Sequence, residues 1–190
     1  RDRHQITSRT AHVDDNPGYA WGLPDALAGA GVDRLVCGLN PGFASEFPLP
    51  PSESIFRWQG PGGGQVLTWV SPDGYFEGAE FWHVDPNVAR FFFGASHPEW
   101  ASMSNLEIME QGISERIGAL EAAGYPYDAV LVLEAFDIMD YDPSNSLLAS
   151  IDAWNATHET PKIKLATADE FFNHMVETYG WEAFPVRTGN

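Results

Sequence analysis

Cysteine is nearly absent: Cys37 is the only one in 190 residues. This rules out an internal disulfide framework and a cysteine-rich zinc site. Cys37 itself, within the apolar run Arg34-Leu-Val-Cys-Gly-Leu39, reads as a small core residue. Positive charge is also scarce. Ten lysines and arginines stand against 27 acidic residues, for a net charge of -17. Such a balance repels phosphate backbones and anionic membranes and leaves neutral sugars, cations or basic partners. There is no run of about 18 apolar residues and no basic-then-apolar leader, so the expectation is a soluble chain without a membrane span. Because the chain opens at Arg1 and not at methionine, a missing leader says little about compartment, cytoplasmic or secreted. Internal repeats and linkers are absent. A chain of this size buries roughly 70% of the surface its unfolded form exposes, enough for one core. The expectation is therefore a single domain over 1–190.

What is present alternates strand and helix patterns, which suggests parallel strands joined by crossover helices. A strand at about Gln5 to Val13, a helix from roughly Ala20 to Ala30 and a strand at Arg34 to Leu39 form a βαβ unit. From Asn40 to Gly64 proline and glycine abound and the chain is expected to be irregular; Gln65 to Val70 is the next strand. Residues 71 to 105 read as a long aromatic-rich excursion, a length that in compact domains is usually functional or disordered. Leu106, Met109, Ile113, Ile117 and Leu120 recur at helical spacing up to Gly124. Ala129 to Leu133 reads as a buried strand, Asp142 through Trp154 as a helix and Lys162 to Leu165 as a strand. Thr167-Ala-Asp-Glu170 has the form of a capping box before a helix that Gly180 ends, and Ala183 to Val186 begins another extended piece. The three strands Arg34–Leu39, Gln65–Val70 and Ala129–Leu133 are expected inside one mainly parallel sheet, with the Leu106 to Ala123 helix packed outside it.

In βα architectures ligands meet the carboxyl ends of strands. Four clusters fall there: His12-Val-Asp14-Asp15-Asn16, Asn40, Asp73 to Glu77, and Asp137 to Asp142. The first puts two carboxylates and a histidine ahead of a Pro-Gly turn. Such oxygen and nitrogen donors suit a divalent metal such as zinc, and an ionised aspartate there could attack a sugar carbon. The plainer alternative is an Asx turn capping a helix at Ala20. Trp58, Trp69, Tyr75, Phe76, Trp82 and Trp100 could line a sugar platform, although about half of such rings are expected in the core. Gly60-Pro-Gly-Gly-Gly64 lacks the Lys-Ser/Thr of a phosphate loop and reads as a turn between strands. Asn155-Ala-Thr157 matches a glycosylation acceptor, a triplet too common to support an inference.

Asp15-Asn-Pro-Gly-Tyr-Ala-Trp-Gly-Leu-Pro24, followed by Leu27-Ala-Gly-Ala-Gly-Val32 and Leu35-Val-Cys-Gly-Leu-Asn40, resembles the second metal-binding motif of the glycoside hydrolase family 38 α-mannosidases. The likeness continues through Ile55-Phe-Arg-Trp58, Gly60-Pro-Gly, Val66-Leu-Thr-Trp69, Val130-Leu-Val-Leu133 with Asp137, Trp154-Asn155 and Phe184-Pro-Val-Arg-Thr-Gly189. It implies an α/β chain that forms part of a seven-stranded β/α barrel of the glycoside hydrolase/deacetylase type, a fragment of a larger catalytic domain. It also implies zinc-dependent, retaining hydrolysis of α-mannosides or related α-linked sugars.

Under that resemblance Asp15 is both nucleophile and metal ligand, and the remaining zinc ligands are expected outside this chain. His12-Val-Asp14 has the letters of the family's first metal pair, but the downstream match assigns this stretch to the second motif. Asp73, or else Glu77, would be the acid and base, while Asn40, Trp58, Trp69, Tyr75 and Asp137 would hold the sugar. Partners would be a carbohydrate and the rest of the parent chain, with neither nucleic acid nor membrane. Two other functions compete: a metal-dependent polysaccharide deacetylase, and a carbohydrate-binding module without catalysis.

Overall fold

A computed structural model describes residues 8–40, 50–134 and 146–189. These described residues fall into two compact units, one of those within 8–75, 126–131 and 166–189, the other of those within 76–125 and 132–165.

The first unit is built on a five-stranded sheet in the order β1-β2-β4-β3-β5. The strands are β1 (Thr10–Asn16), β2 (Arg34–Leu39), β3 (Ile55–Gln59), β4 (Gln65–Val70) and β5 (Val186–Thr188). β1, β2 and β4 run parallel, β3 is antiparallel to β4, and β5 is parallel to β3. The first two are joined by α1 (Leu23–Gly29), which supplies the expected βαβ unit.

All six residues of β2 are buried, as expected for a strand covered on both faces. Alternation decides which residue meets which cover. Leu35, Cys37, Leu39, Phe56, Trp58, Val66 and Val70 form one core cluster, with Leu23 and Leu27 of α1 packed against it. On the other face Trp69 meets Phe171 edge-on at 5.2 Å between ring centres. Phe171 belongs to α6 (Ala168–Tyr179), whose Asn173 accepts a 2.7 Å hydrogen bond from Arg34. Each large side chain sealed in this way contributes about 1.5–3 kcal/mol relative to exposure. At the start of α6 the capping box is present, with Thr167 and Glu170 each satisfying the other's backbone N–H.

β3 lies within the stretch expected to be irregular. It survives because Ile55, Phe56 and Trp58 are all buried and its register with β4 runs unbroken from Ile55–Trp69 to Gln59–Gln65. The glycine run is the hairpin turn between these two strands. Asp25 of α1 clamps it by accepting 2.7 Å hydrogen bonds from the amides of Gly62 and Gly64.

The second unit is helical: α2 (Glu77–Glu80), α3 (Pro86–Phe93), α4 (Asn105–Ala122) and α5 (Ser146–Thr157). α2 and α3, with a short 3-10 turn at Pro98–Ala101, occupy what the sequence suggested was an irregular excursion. Asp85 starts α3 by accepting from the amides of Asn87 and Val88, with Pro86 behind it. α4 is the helix expected from the Leu106 to Leu120 periodicity, opened by a Ser104–Glu107 capping box.

Two expected strands are not strands. In Ala129–Leu133 the backbone of Leu133 is spent elsewhere: its N–H donates to the Glu77 carboxylate at 3.2 Å and its carbonyl accepts from Gly78 at 2.8 Å. In Lys162–Leu165 the side-chain amide of Asn155 takes both backbone groups of Ile163, at 2.7 and 2.9 Å. With the backbone groups of Leu133 and Ile163 paired in this way, neither residue takes part in a sheet ladder. Five described strands form an open sheet, and the seven-stranded barrel is not among the described residues.

Candidate active site

The carboxyl ends of β1 and β2, and the turn after β4, gather the polar residues of the first unit. At the end of β1 the pairing register skips: Asp14 faces Gly38 and Asn16 faces Leu39, leaving Asp15 as a bulge with φ of 57°. Strict alternation would send Asp15 to the side of the sheet that Val13 occupies. The bulge re-aims it instead. Its carboxylate accepts a hydrogen bond from the Asn40 side chain, just past the end of β2, while the Asn40 amide donates to Asn16 O at 3.1 Å.

The helix-cap alternative for this cluster is not what the structure contains. α1 begins at Leu23, three residues later than expected, and its N-cap Gly22 carries no side-chain cap. Asp15 is exposed and free of that duty.

His12 and Asp14 lie on one face of β1, with a His12 Nε2 to Asp14 carboxylate distance of 2.9 Å. Asp14 folds over Gly38, where any side chain would collide with its carboxylate and, at 2.6 Å, with the Cβ of Tyr75. A glycine inside a strand signals such a close approach, and Gly38 is the signal that locates this cradle. Tyr75 follows the turn after β4, in which the Ser71 hydroxyl donates to Gly74 O and Asp73 is half-buried.

On the opposite face Tyr19 donates to Val13 O at 2.8 Å. Burial, reinforced by neighbouring Cys37, pushes its phenol well above the ordinary range, and burial pushes the Cys37 thiol up to about 12. Both therefore stay protonated at neutral pH, so neither is a ready nucleophile.

The other expected site residues that are described are buried. Trp58 is 6% exposed and donates from Nε1 to Gly189 O at 2.9 Å; Trp69 is 0% exposed against Phe171. Both are sheet-face core residues, so neither offers an open ring face for a sugar. Trp82 and Trp100 are buried as well. Glu77 belongs to the second unit, is 1% exposed and is engaged with the Leu133 amide. Asp137 lies outside the described residues, as does the whole Asp137 to Asp142 cluster.

What the structure brings together is Asp15 with Asn40, and Asp14 with His12 and Tyr75. Among the described residues no group of three or more histidine, cysteine or carboxylate side chains is placed to hold a metal ion, and no helix is long and apolar enough to cross a membrane.

Comparison with known proteins gives this geometry a context. A structurally similar solved protein is an alpha-mannosidase from Enterococcus faecalis V583, at 14% identity with a TM-score of 0.58; the match covers 99% of this chain and 18% of that one. This chain thus spans less than a fifth of that enzyme, and at this identity the likeness speaks for the fold. No curated protein matches the chain. The family model for the glycosyl hydrolases family 38 N-terminal domain matches residues 1–189. That match takes in nearly the whole sequence, and the chain belongs to the glycosyl hydrolase family 38 N-terminal domain family.

Proposed function

We propose that residues 1–190 are one part of a larger catalytic β/α barrel domain, and that the parent protein is a retaining glycoside hydrolase acting on α-mannosides or related α-linked sugars. The observation that carries this reading is Asp15: a carboxylate held in a bulge at a strand's carboxyl end, accessible, oriented by Asn40 and serving no helix cap. Family membership supports the hydrolase class.

In this mechanism an Asp15 oxygen attacks the anomeric carbon as the bond to the leaving oxygen breaks. Asp73 gives its proton to that oxygen. Asp73 then takes a proton from water, which cleaves the glycosyl ester and frees Asp15. Retention requires the two carboxyls to stand about 5 Å apart. Asn40 aligns the nucleophile and Tyr75 flanks the sugar. Glu77 is the second candidate for the acid, although its carboxylate already accepts from Leu133.

Zinc belongs to the same proposal, with limits that the donors set. Asp14, Asp15 and His12 have suitable atoms, but His12 is turned onto Asp14 and these residues do not complete a site. Asp15 would supply one ligand and the rest of the parent chain the others. The steps above do not pass through the metal.

The test is Asp15→Asn in the intact parent protein, with turnover of an activated α-mannoside measured beside thermal melting. The amide keeps the size and the hydrogen bond to Asn40 but cannot form the ester. Turnover should fall at least ~1,000-fold in a folded protein, and near-normal turnover would remove Asp15 from the mechanism. Product analysis separates the rivals: reducing sugar marks the glycosidase, acetate a deacetylase, and binding without turnover a carbohydrate-binding module.

A further inference from the structure

The second unit buries an acidic group that the proposed chemistry does not use. Oxygen Oε2 of Glu134 is shut off from solvent and has no hydrogen-bond partner among the described residues. It rests directly on the backbone of Gly78 in α2, where a Cβ would collide with it and would also lie 3.0 Å from Leu133 O. Beside it the chain is pinned to α2 by two hydrogen bonds, Gly78 N–H to Leu133 O at 2.8 Å and Leu133 N–H to the Glu77 carboxylate at 3.2 Å. Two more acids face the same place: Glu77 from α2, 1% exposed, and Asp85 from the N-cap of α3, 0% exposed. On its own segment Glu134 is preceded only by Ala129-Val-Leu-Val-Leu133, which carries no charge.

We propose that Glu134 is a proton-held latch: its neutral carboxyl lets residues 132–134 lie against the start of α2, and its ionisation releases them. An ionised carboxylate with one oxygen shut off from solvent and without a donor, facing two other acids, is costly, whereas the neutral acid is not. Burial first, then the charges of Asp85 and Glu77, keep the proton on Glu134 up to about 8. Once released into water the group ionises near its ordinary 4.5. Over the interval between these two values the released form gains from each rise in pH and the latched form does not. The latch is tightest below pH 4.5, loosens steadily toward pH 8 and changes little beyond.

The test is hydrogen exchange at the Gly78 and Leu133 amides in the intact protein at pH 5 and pH 8, each rate divided by its intrinsic rate, with β2 amides as the reference. Protection at both amides should fall roughly tenfold or more between the two pH values, relative to β2. In Glu134→Gln, neutral at every pH, protection should be the same at both and exceed the wild type at pH 8. Equal protection in the wild type at pH 5 and pH 8, or an unchanged loss in Glu134→Gln, would overturn the latch. Should that variant fail to fold, a carboxyl-carbon NMR titration of the wild type decides it: a midpoint near 8 supports the latch and one near 4.5 removes it. Neither readout depends on glycoside turnover.

Discussion

The two units solve the same problem, satisfying buried backbone polar groups, by different means. Within the strands of the sheet unit the ladder pairs N–H with C=O and side chains alternate between the α1 face and the α6 face, while at the glycine turn a side chain takes over, as Asp25 does for Gly62 and Gly64. Toward the end of β1, His12, Asp14 and Asp15 keep access to water. In the helical unit the non-helical segments have no ladder. Side chains take over the backbone's partners: Asn155 for Ile163, Glu77 for Leu133, Asp85 for the start of α3. The consequence is a set of buried polar groups, among them Glu77, His83 and Asp85. The sheet unit buries polar groups too, Arg34, Thr68 and Ser71 among them, but the buried acids Glu77 and Asp85 both lie in the helical unit, each spent on backbone amides.

The largest effects should come from opening each core. Phe172→Ala in the sheet unit and Trp154→Ala in the helical unit should each cost about 3–5 kcal/mol, because both are essentially sealed, at 0% and 1% exposure. Trp154 also donates to Pro161 O at 2.8 Å and stacks on His158 at 3.6 Å. Residue-resolved hydrogen exchange would show whether each variant loosens its own unit alone. If either loosens both equally, the comparison of separate units breaks.

The next pair removes a side chain that does a backbone's job. Asn155→Ala should cost about 1–3 kcal/mol, since it leaves the partly buried N–H and C=O of Ile163 unpaired. Asp25→Ala should cost about 1 kcal/mol, because the Gly62 and Gly64 amides lie at a turn that water can reach. Denaturant melts that reverse this order would show that the glycine turn, and not the 155–163 connection, is the more demanding device. The Asn155 amide of the glycosylation triplet is the one engaged in these bonds.

A smaller and pH-dependent effect belongs to His83, 7% exposed, with ring nitrogens 3.2 Å from Ile108 O and 3.1 Å from Glu80 O. A neutral ring has one N–H to offer these two acceptors, and burial still holds its pKa below the ordinary 6.5. Unfolded chains therefore take up the proton first. Stability should fall as pH drops below 6.5 toward the depressed value, and melting temperatures of the wild type against His83→Gln between pH 7 and 5 would show it. A flat wild-type profile would separate burial from charge at this position.

The smallest change should be a gain. Gly118 in α4 has open space where a Cβ would sit, so Gly118→Ala should stabilise by about 0.5–1 kcal/mol. The same substitution at Gly38 drives a methyl group into Asp14 and Tyr75.

Much of this was legible in the sequence and some was not. β2, β4, α4 and α6 follow from periodicity and caps, because their partners are local or their faces are uniformly apolar. β3 was hidden by the prolines and glycines around a five-residue run whose burial depends on β4 and β5. Ala129–Leu133 carries every local mark of a buried strand, yet a carboxylate 56 positions away claims its backbone. At the site, the Asp14-Asp15-Asn16 cluster and Asn40 were readable from their place after strands. The burial of Trp58 and Trp69 was not, because a tryptophan on a strand faces core or solvent according to register.

By itself the sequence determined the acidic surface, the βαβ start, the capping boxes and the kinship with family 38, all of which are properties of local chemistry or residue order. Tertiary structure alone decided that Asp15 leaves the alternation of β1 through a bulge and meets Asn40. It also decided that Gly38 is bare because Asp14 and Tyr75 need its space, and that Glu134 lies against Gly78. Each of these depends on which backbone groups find partners far away in the chain, and local spacing carries no record of that choice.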